Sequence, residues 1–171
     1  VHRVQKEYSQ AVAFYTECLQ IRTEIGDRHG RADALKGLAD VHQVRNEYSQ
    51  AVAFYTESLQ IRTEIGDRRG RASALWGLAE VHRLQKDYSQ AMTFFSEALA
   101  IFTDIGDRYW KAVTLRDIAD THRDQDDRSS AIHDYEQAAE IFKQIGDTDS
   151  EAYPSRQAAK LRRLMEQKVA T

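Results

Sequence analysis

The sequence predicts an all-α solenoid: antiparallel helix pairs, each a copy of the last, stacked side by side and closed by a C-terminal capping helix. Three observations predict it. The stretch Tyr48 to Ala79, YSQAVAFYTESLQIRTEIGDRRGRASALWGLA, recurs forty residues upstream and forty downstream, and a drifted copy begins at Arg128. Self-similarity at a fixed period of this size marks a repeat architecture, in which one unit cannot bury its own apolar face and stacks on its neighbours. Within the period, apolar residues fall three and four apart, the spacing of one helix face. The pair Gly-Asp recurs at 26–27, 66–67, 106–107 and 146–147. It supplies a residue tolerant of positive φ to end one helix and a carboxylate to cap the next.

Taken in order, residues 1–6 match 41–46 and 81–86 and read as the tail of an A helix whose first half is missing. The chain begins at Val1 in mid-pattern and without Met, as expected of a piece of a longer protein. Helix B follows over 8–25, with Ala11, Phe14, Tyr15, Cys18, Leu19, Ile21 and Ile25 on its apolar side. Helix A, about 28 to 45, turns Ala32, Leu35, Leu38, Ala39 and His42 to the core, and Asn46 with Glu47 leads into the next helix B. The pairs are then 28–65, 68–105 and 108–145, of helices about 27 Å long, and short loops make them antiparallel neighbours. One domain, 1–171, is expected.

Ala11, Ala51, Ala91 and Ala131 share one position, and Ala39, Ala79, Ala119 and Ala159 another. Only short side chains fit where helices approach within about 8–10 Å, and Tyr15, Tyr55, Phe95 and Tyr135 fill the adjoining space. The last segment, 150–168, replaces two leucines by Ser155 and Ala158 and carries polar Arg156, Lys160, Arg163 and Glu166, which suits a cap. Pro154 fits that helix only if it starts near Ser150. The N-terminal end has no such cap.

Composition excludes several classes. The net charge of -3 gives no footprint for nucleic acid. No apolar run approaches the ~20 residues that span a membrane. Cys18, the single cysteine, allows no intrachain disulfide and reads as a small packed residue, since its equivalents are Ser58, Ala98 and Ala138. A reducing, cytoplasmic compartment is the expectation.

Leu35, Leu38, Ala39, Tyr48, Ala51, Tyr55, Ser58 and Leu59 resemble the tetratricopeptide (TPR) repeat, here at a period of 40 instead of the usual 34. The longer form with E-x-G-D-R between pairs is similar to the Pins/LGN spindle-orientation scaffolds and to the TPR arms of large signalling ATPases and regulators. The resemblance covers essentially the whole chain. It implies a right-handed α-α superhelix and an inner groove, lined by the A helices, that binds extended peptides or partner proteins. Pins/LGN scaffolds carry Asn at two groove positions of each A helix. Here the first is Gly37, Gly77 and Asp117 and the second Asp40, Glu80 and Asp120, so that clamp is absent or altered.

The groove candidates are Asp33, Lys36, Asp40 and Gln43 in one copy, Ser73, Trp76, Glu80 and Arg83 in the next, and Val113, Arg116, Asp120 and Arg123 in the last. His29, Arg69 and Tyr109 lie one turn earlier, on the rim. Lys36 becomes Trp76 and then Arg116 while Leu35, Leu75 and Leu115 do not change, a contrast that fits either binding or relaxed constraint on exposed sites. The acidic row Asp40, Glu80, Asp120 fits a basic ligand, or pairing within the helix as Lys36 with Asp40, Glu80 with Arg83 and Arg116 with Asp120. Trp76 is the large aromatic of the set, a residue type enriched among interface hot spots.

His42, His82 and His122 do not make a metal site, because whole helix pairs separate them whereas zinc needs nitrogens at ~2.0–2.1 Å. They stand where TPR repeats usually have Tyr and read as half-buried packing residues. No catalytic motif, metal site or cofactor site is found. The expectation is a non-enzymatic scaffold for a protein or extended peptide, with no nucleic acid or membrane partner. The alternative is an oligomerising or regulatory arm of a larger signalling protein, acting through its convex face or self-associating through the uncapped N-terminal end.

Overall fold

The repeat text becomes helix wherever it is written. The computed structural model describes the backbone of residues 2–169 and the side chains of residues 7–167, and among these residues it has eight α-helices and no strand. They are α1 (His2–Glu24), α2 (Arg28–Val44), α3 (Tyr48–Glu64), α4 (Arg68–Leu84), α5 (Tyr88–Asp104), α6 (Arg108–Asp124), α7 (Arg128–Gln144) and α8 (Thr148–Val169). The fold class is the all-α helical repeat with a C-terminal helix. The chain, read from sequence as one domain, divides into two compact units, Val1–Asp87 and Tyr88–Thr171. In the first, α1 packs on α2, α2 on α3 and α3 on α4, and the two A helices α2 and α4 also touch. In the second, α5 packs on α6, α6 on α7 and α7 on α8.

Small residues sit where helices are closest: Ala39, Ala51, Ala79, Ala91, Ala119 and Ala131 are all fully buried. Tyr55 and Tyr135 fill the adjoining space, also with no exposure. In the first unit Ala32, Leu35 and Ile61 form a cluster flanked by Leu19, Phe54 and Ile65. In the second, Ala119, Ala131, Tyr135, Ala158 and Leu161 do so, flanked by Ile132 and Tyr153. α1 leaves Phe14 62% and Ile21 47% exposed. On α8, Arg156, Lys160, Arg163 and Glu166 are exposed.

Each turn is three residues long. Gly66 takes φ +72 after α3; its N–H reaches Thr63 O at 3.3 Å, and that of Asp67 reaches Arg62 O at 2.9 Å. This double closure satisfies carbonyls that the helix end leaves open. The turns out of α2, α4 and α6 use the same geometry without glycine, at Asn46, Lys86 and Asp126. Asp27, Asp67, Asp107, Asp127 and Asp147 each cap the following helix, accepting from the N–H three residues on at 2.8 to 3.2 Å.

These caps set the acid response. The N–H of Gly30 holds the Asp27 carboxyl below its ordinary range, and the hydroxyls and N–H groups of Ser130 and Ser150 do the same for Asp127 and Asp147. A carboxyl depressed in the folded state stabilises it above the unfolded value, near 3.9, and stops doing so as pH falls through the folded value. Melting followed by circular dichroism is therefore expected to be nearly flat from pH 7 to about 5 and to begin to fall below about 4.

Two elements depart from the sequence reading. Residues 2–6, expected as the tail of a separate A helix ahead of a helix B over 8–25, continue α1 without a break. Their text, Gln5-Lys6-Glu7, is nearly that of Gln85-Lys86-Asp87, which does turn. A left-handed lysine costs roughly 1–2 kcal/mol, and near-identical local text takes both conformations, so local sequence alone does not decide the turn. The C-terminal helix, expected over 150–168, starts at Thr148, which puts Pro154 in its second turn and not its first. Pro154 is buried at the position of Ala34, Ala74 and Thr114. Burial of its ring offsets part of the ~3 kcal/mol that an interior proline costs.

Candidate functional site

The side chains expected to line the inner face lie on α2, α4 and α6. Asp33 is exposed, and Lys36, Asp40 and Gln43 are half-buried. On α4, Ser73, Trp76, Glu80 and Arg83 are all half-buried; on α6, Arg116, Asp120 and Arg123 are. Val113 is not on an open face: it is 5% exposed and belongs to the core. The rim residues His29, Arg69 and Tyr109 are exposed.

The acidic row is occupied by the protein itself. Asp40 accepts from Lys36 Nζ at 2.8 Å and from the Tyr55 hydroxyl at 2.5 Å, which also lies 2.8 Å from Gln43 Oε1. Burial first, then the charges of Asp40 and Glu80, push the Tyr55 hydroxyl far above its ordinary value, so it stays a donor. Glu80 takes Arg83 bidentately at 2.9 and 3.0 Å. In the second unit Asp120 collects three donors: Arg123 at 2.6 Å, Tyr153 at 2.8 Å and Tyr135. Two intrahelical pairs read from the sequence form, and the third does not. Arg116 turns to its neighbour Asp117 at 2.8 Å, leaving Arg123 to Asp120.

The positions where Pins/LGN scaffolds have their first asparagine are closed. Gly37, Gly77 and Asp117 are all buried. A Cβ on Gly77 would sit 2.4 Å from Tyr55 Cε1, and one on Gly37 2.3 Å from Tyr15 Cε1. The tyrosines of α1 and α3 thus lie across the backbone of the A helix that follows, at a glycine that leaves room for the ring; the next pair has Phe95 and Asp117 at these two positions.

Arg62 is the buried charge that the sequence reading missed. On the core side of α3 with its side chain 5% exposed, it donates to Asp33 on α2, to Asp67 at the cap of α4 (2.5 Å), and weakly to Ser58 Oγ at 3.4 Å. Ser58 in turn donates to Ala32 O at 2.9 Å. Asp33 is thereby committed to an interhelical pair. In the second unit the equivalents of Arg62, Asp33 and Ser58 are Phe142, Val113 and Ala138, all buried. That exchange accounts for the burial of Val113, and the change of Arg22 and Arg62 to Phe102 and Phe142 between copies was the signal that could have found it.

The histidines pack as read. His42 stacks on Phe54 with centroids 5.3 Å apart and lies 2.6 Å from Glu47; His122 lies 2.9 Å from Asp134. Among the described residues no helix is long and apolar enough to cross a membrane.

Tandem helix pairs of this register, with small residues at the crossings and a tyrosine locked over glycine, agree with a family model for the tetratricopeptide repeat that matches residues 1–64 and 70–144. The chain belongs to the tetratricopeptide repeat family. No curated protein matches the sequence. Among solved structures, this TPR chain is similar to BtubC from P. vanneervenii (18% identity, 96% of this chain and 76% of that one, TM-score 0.73). It is similar to the Sgt2 TPR domain from Aspergillus fumigatus (21%, 82% and 82%, 0.62). It is also similar to a Rap protein complexed with competence and sporulation factor (17%, 92% and 50%, 0.73). At these identities the likeness is one of fold. The TPR family and its fold make the chain, in general terms, a protein-interaction scaffold.

Proposed function

We propose that the chain holds an extended peptide or a partner protein against the inner face of its A helices. The observation that carries the reading is the position of Lys36, Trp76 and Arg116. It is half-exposed on each of α2, α4 and α6, while the preceding residue, Leu35, Leu75 or Leu115, is buried. In the near-duplicate first two A helices this position changes from Lys to Trp. Asp40, Glu80 and Asp120 are already paired with the cations beside them, so recognition falls first to the Trp76 ring, not to a free acidic ladder. The similar Rap structure, complexed with competence and sporulation factor, supports a ligand-holding role for the fold.

Trp76→Ala and Arg116→Ala are expected to weaken partner binding about tenfold or more each, the range of interface anchors, with helicity by circular dichroism unchanged. Unchanged affinity in both variants discards the inner-face reading. A second reading, an oligomerising or regulatory arm, draws on Phe14 and Ile21, exposed on α1. Light scattering across a concentration series separates the two: concentration-dependent association abolished by Phe14→Ser supports the arm.

A further inference from the structure

The first unit ties the start of α2 to the end of α3 by two ion pairs, Arg28 with Glu64 and Arg31 with Glu57. The second unit repeats this joint between α6 and α7, with both carboxylates exchanged for amides: Gln144 stands for Glu64 and Gln137 for Glu57. The cations remain. Arg108 donates to the Gln144 amide oxygen in the register of the Arg28 pair. Gln137 turns away to donate to His133 Nε2 at 2.5 Å, and the Lys111 ammonium has no hydrogen bond or ion pair among the described residues. Nearby carboxylates are engaged elsewhere: Asp107 caps α6, and Glu140 accepts from the Gln144 amide at 2.8 Å.

Between these cations lies a cleft of about 230 Å³ lined by Phe102, Thr103, Arg108, Lys111, Ile141 and Gln144. Its floor is apolar, with Phe102 1% exposed. The volume suits one aliphatic side chain, being below the ~300 Å³ of small-molecule sites. None of its residues belongs to the inner-face set. We propose that this cleft is a second docking site, which takes an acidic segment of a partner protein: an aliphatic side chain on Phe102 and Ile141, with a neighbouring Glu or Asp carboxylate on Lys111 and Arg108. The occupant supplies the negative charge that Glu57 and Glu64 supply in the first unit, and two unneutralised cations beside an apolar floor fit that chemistry.

The test is fluorescence anisotropy of the full chain with a fluorescein-labelled peptide of alternating leucine and glutamate, against its leucine–glutamine analogue. The glutamate peptide is expected to bind at least about tenfold more tightly. The double variant Gln137→Glu and Gln144→Glu, which installs the pairs that the first unit already tolerates, is expected to lower its affinity about tenfold, and Lys111→Gln to lower it as well. Trp76→Ala is expected to leave it unchanged, which separates this site from the inner face. Equal binding of the two peptides, no binding of the glutamate peptide, or undiminished affinity in the double variant overturns the proposal. Displacement by inorganic phosphate as effective, mole for mole, as by unlabelled glutamate peptide also overturns it.

Discussion

Arg62→Ala is expected to be among the most damaging single substitutions in the chain. The guanidinium is buried among α2, α3 and the cap of α4, and removing one partner of a buried charge network costs ~3–5 kcal/mol. Asp33, 62% exposed, regains water, so a loss near the lower figure, about 3 kcal/mol, is expected. The chain also holds its own remedy. The equivalents in the second unit are Val113, Ala138, Phe142 and Ser150, an apolar version of the same joint. Installing them together as Asp33→Val, Ser58→Ala, Arg62→Phe and Gly70→Ser is expected to restore stability to within about 1 kcal/mol of the native chain, because packed hydrophobes replace buried ion networks at little or no cost. Gly70 is part of the set: a Cβ there would meet Arg62 Nη1 at 2.1 Å. Thermal and urea unfolding of the single and fourfold variants check this. A harmless Arg62→Ala, or a fourfold variant weaker than the single one, contradicts it.

Gly77→Ala is expected to destabilise, against the usual sign. In an open helix interior alanine gains about 1 kcal/mol over glycine. Here the new methyl group would stand 2.4 Å from Tyr55 Cε1 and 2.5 Å from Cζ. The ring cannot step aside easily, being fully buried with its hydroxyl held by Asp40 and Gln43. Overpacking costs typically 1–3 kcal/mol, so after the propensity gain a net loss of up to about 2 kcal/mol is expected in urea unfolding. Gly37→Ala is expected to lose less, because Tyr15, its obstacle, is only half-buried and can shift. A stabilising Gly77→Ala would show that the Tyr55 ring does not lie where the structure has it.

Much of the fold was legible because the repeat writes its punctuation in the residues that carry it out. Gly-Asp at 26–27, 66–67, 106–107 and 146–147 is both stop and cap, and the spacing of Leu35, Leu38 and Ala39 named the buried stripe. What local text could not show was settled by partners far along the chain. Val113 read as a surface residue because Asp33 and Ser73 share its position, yet it answers to Phe142, an exchange visible only by reading both helices together. On the candidate face, the sequence found the acidic row and two of its three intrahelical pairs. It missed the tyrosine hydroxyls, which arrive from α3, α7 and α8 and leave the carboxylates little to offer a ligand.

The inner-face reading meets its most direct test in the fluorescence of Trp76. Trp110→Phe leaves Trp76 as the single indole, since the chain has two tryptophans. Peptides selected from a random library on the immobilised chain are titrated into this variant. The account predicts a saturable shift of Trp76 emission that tracks binding and weakens with Lys36→Ala, on the neighbouring A helix of the same unit. Saturable binding with Trp76 emission unmoved would contradict it and place recognition elsewhere on the protein.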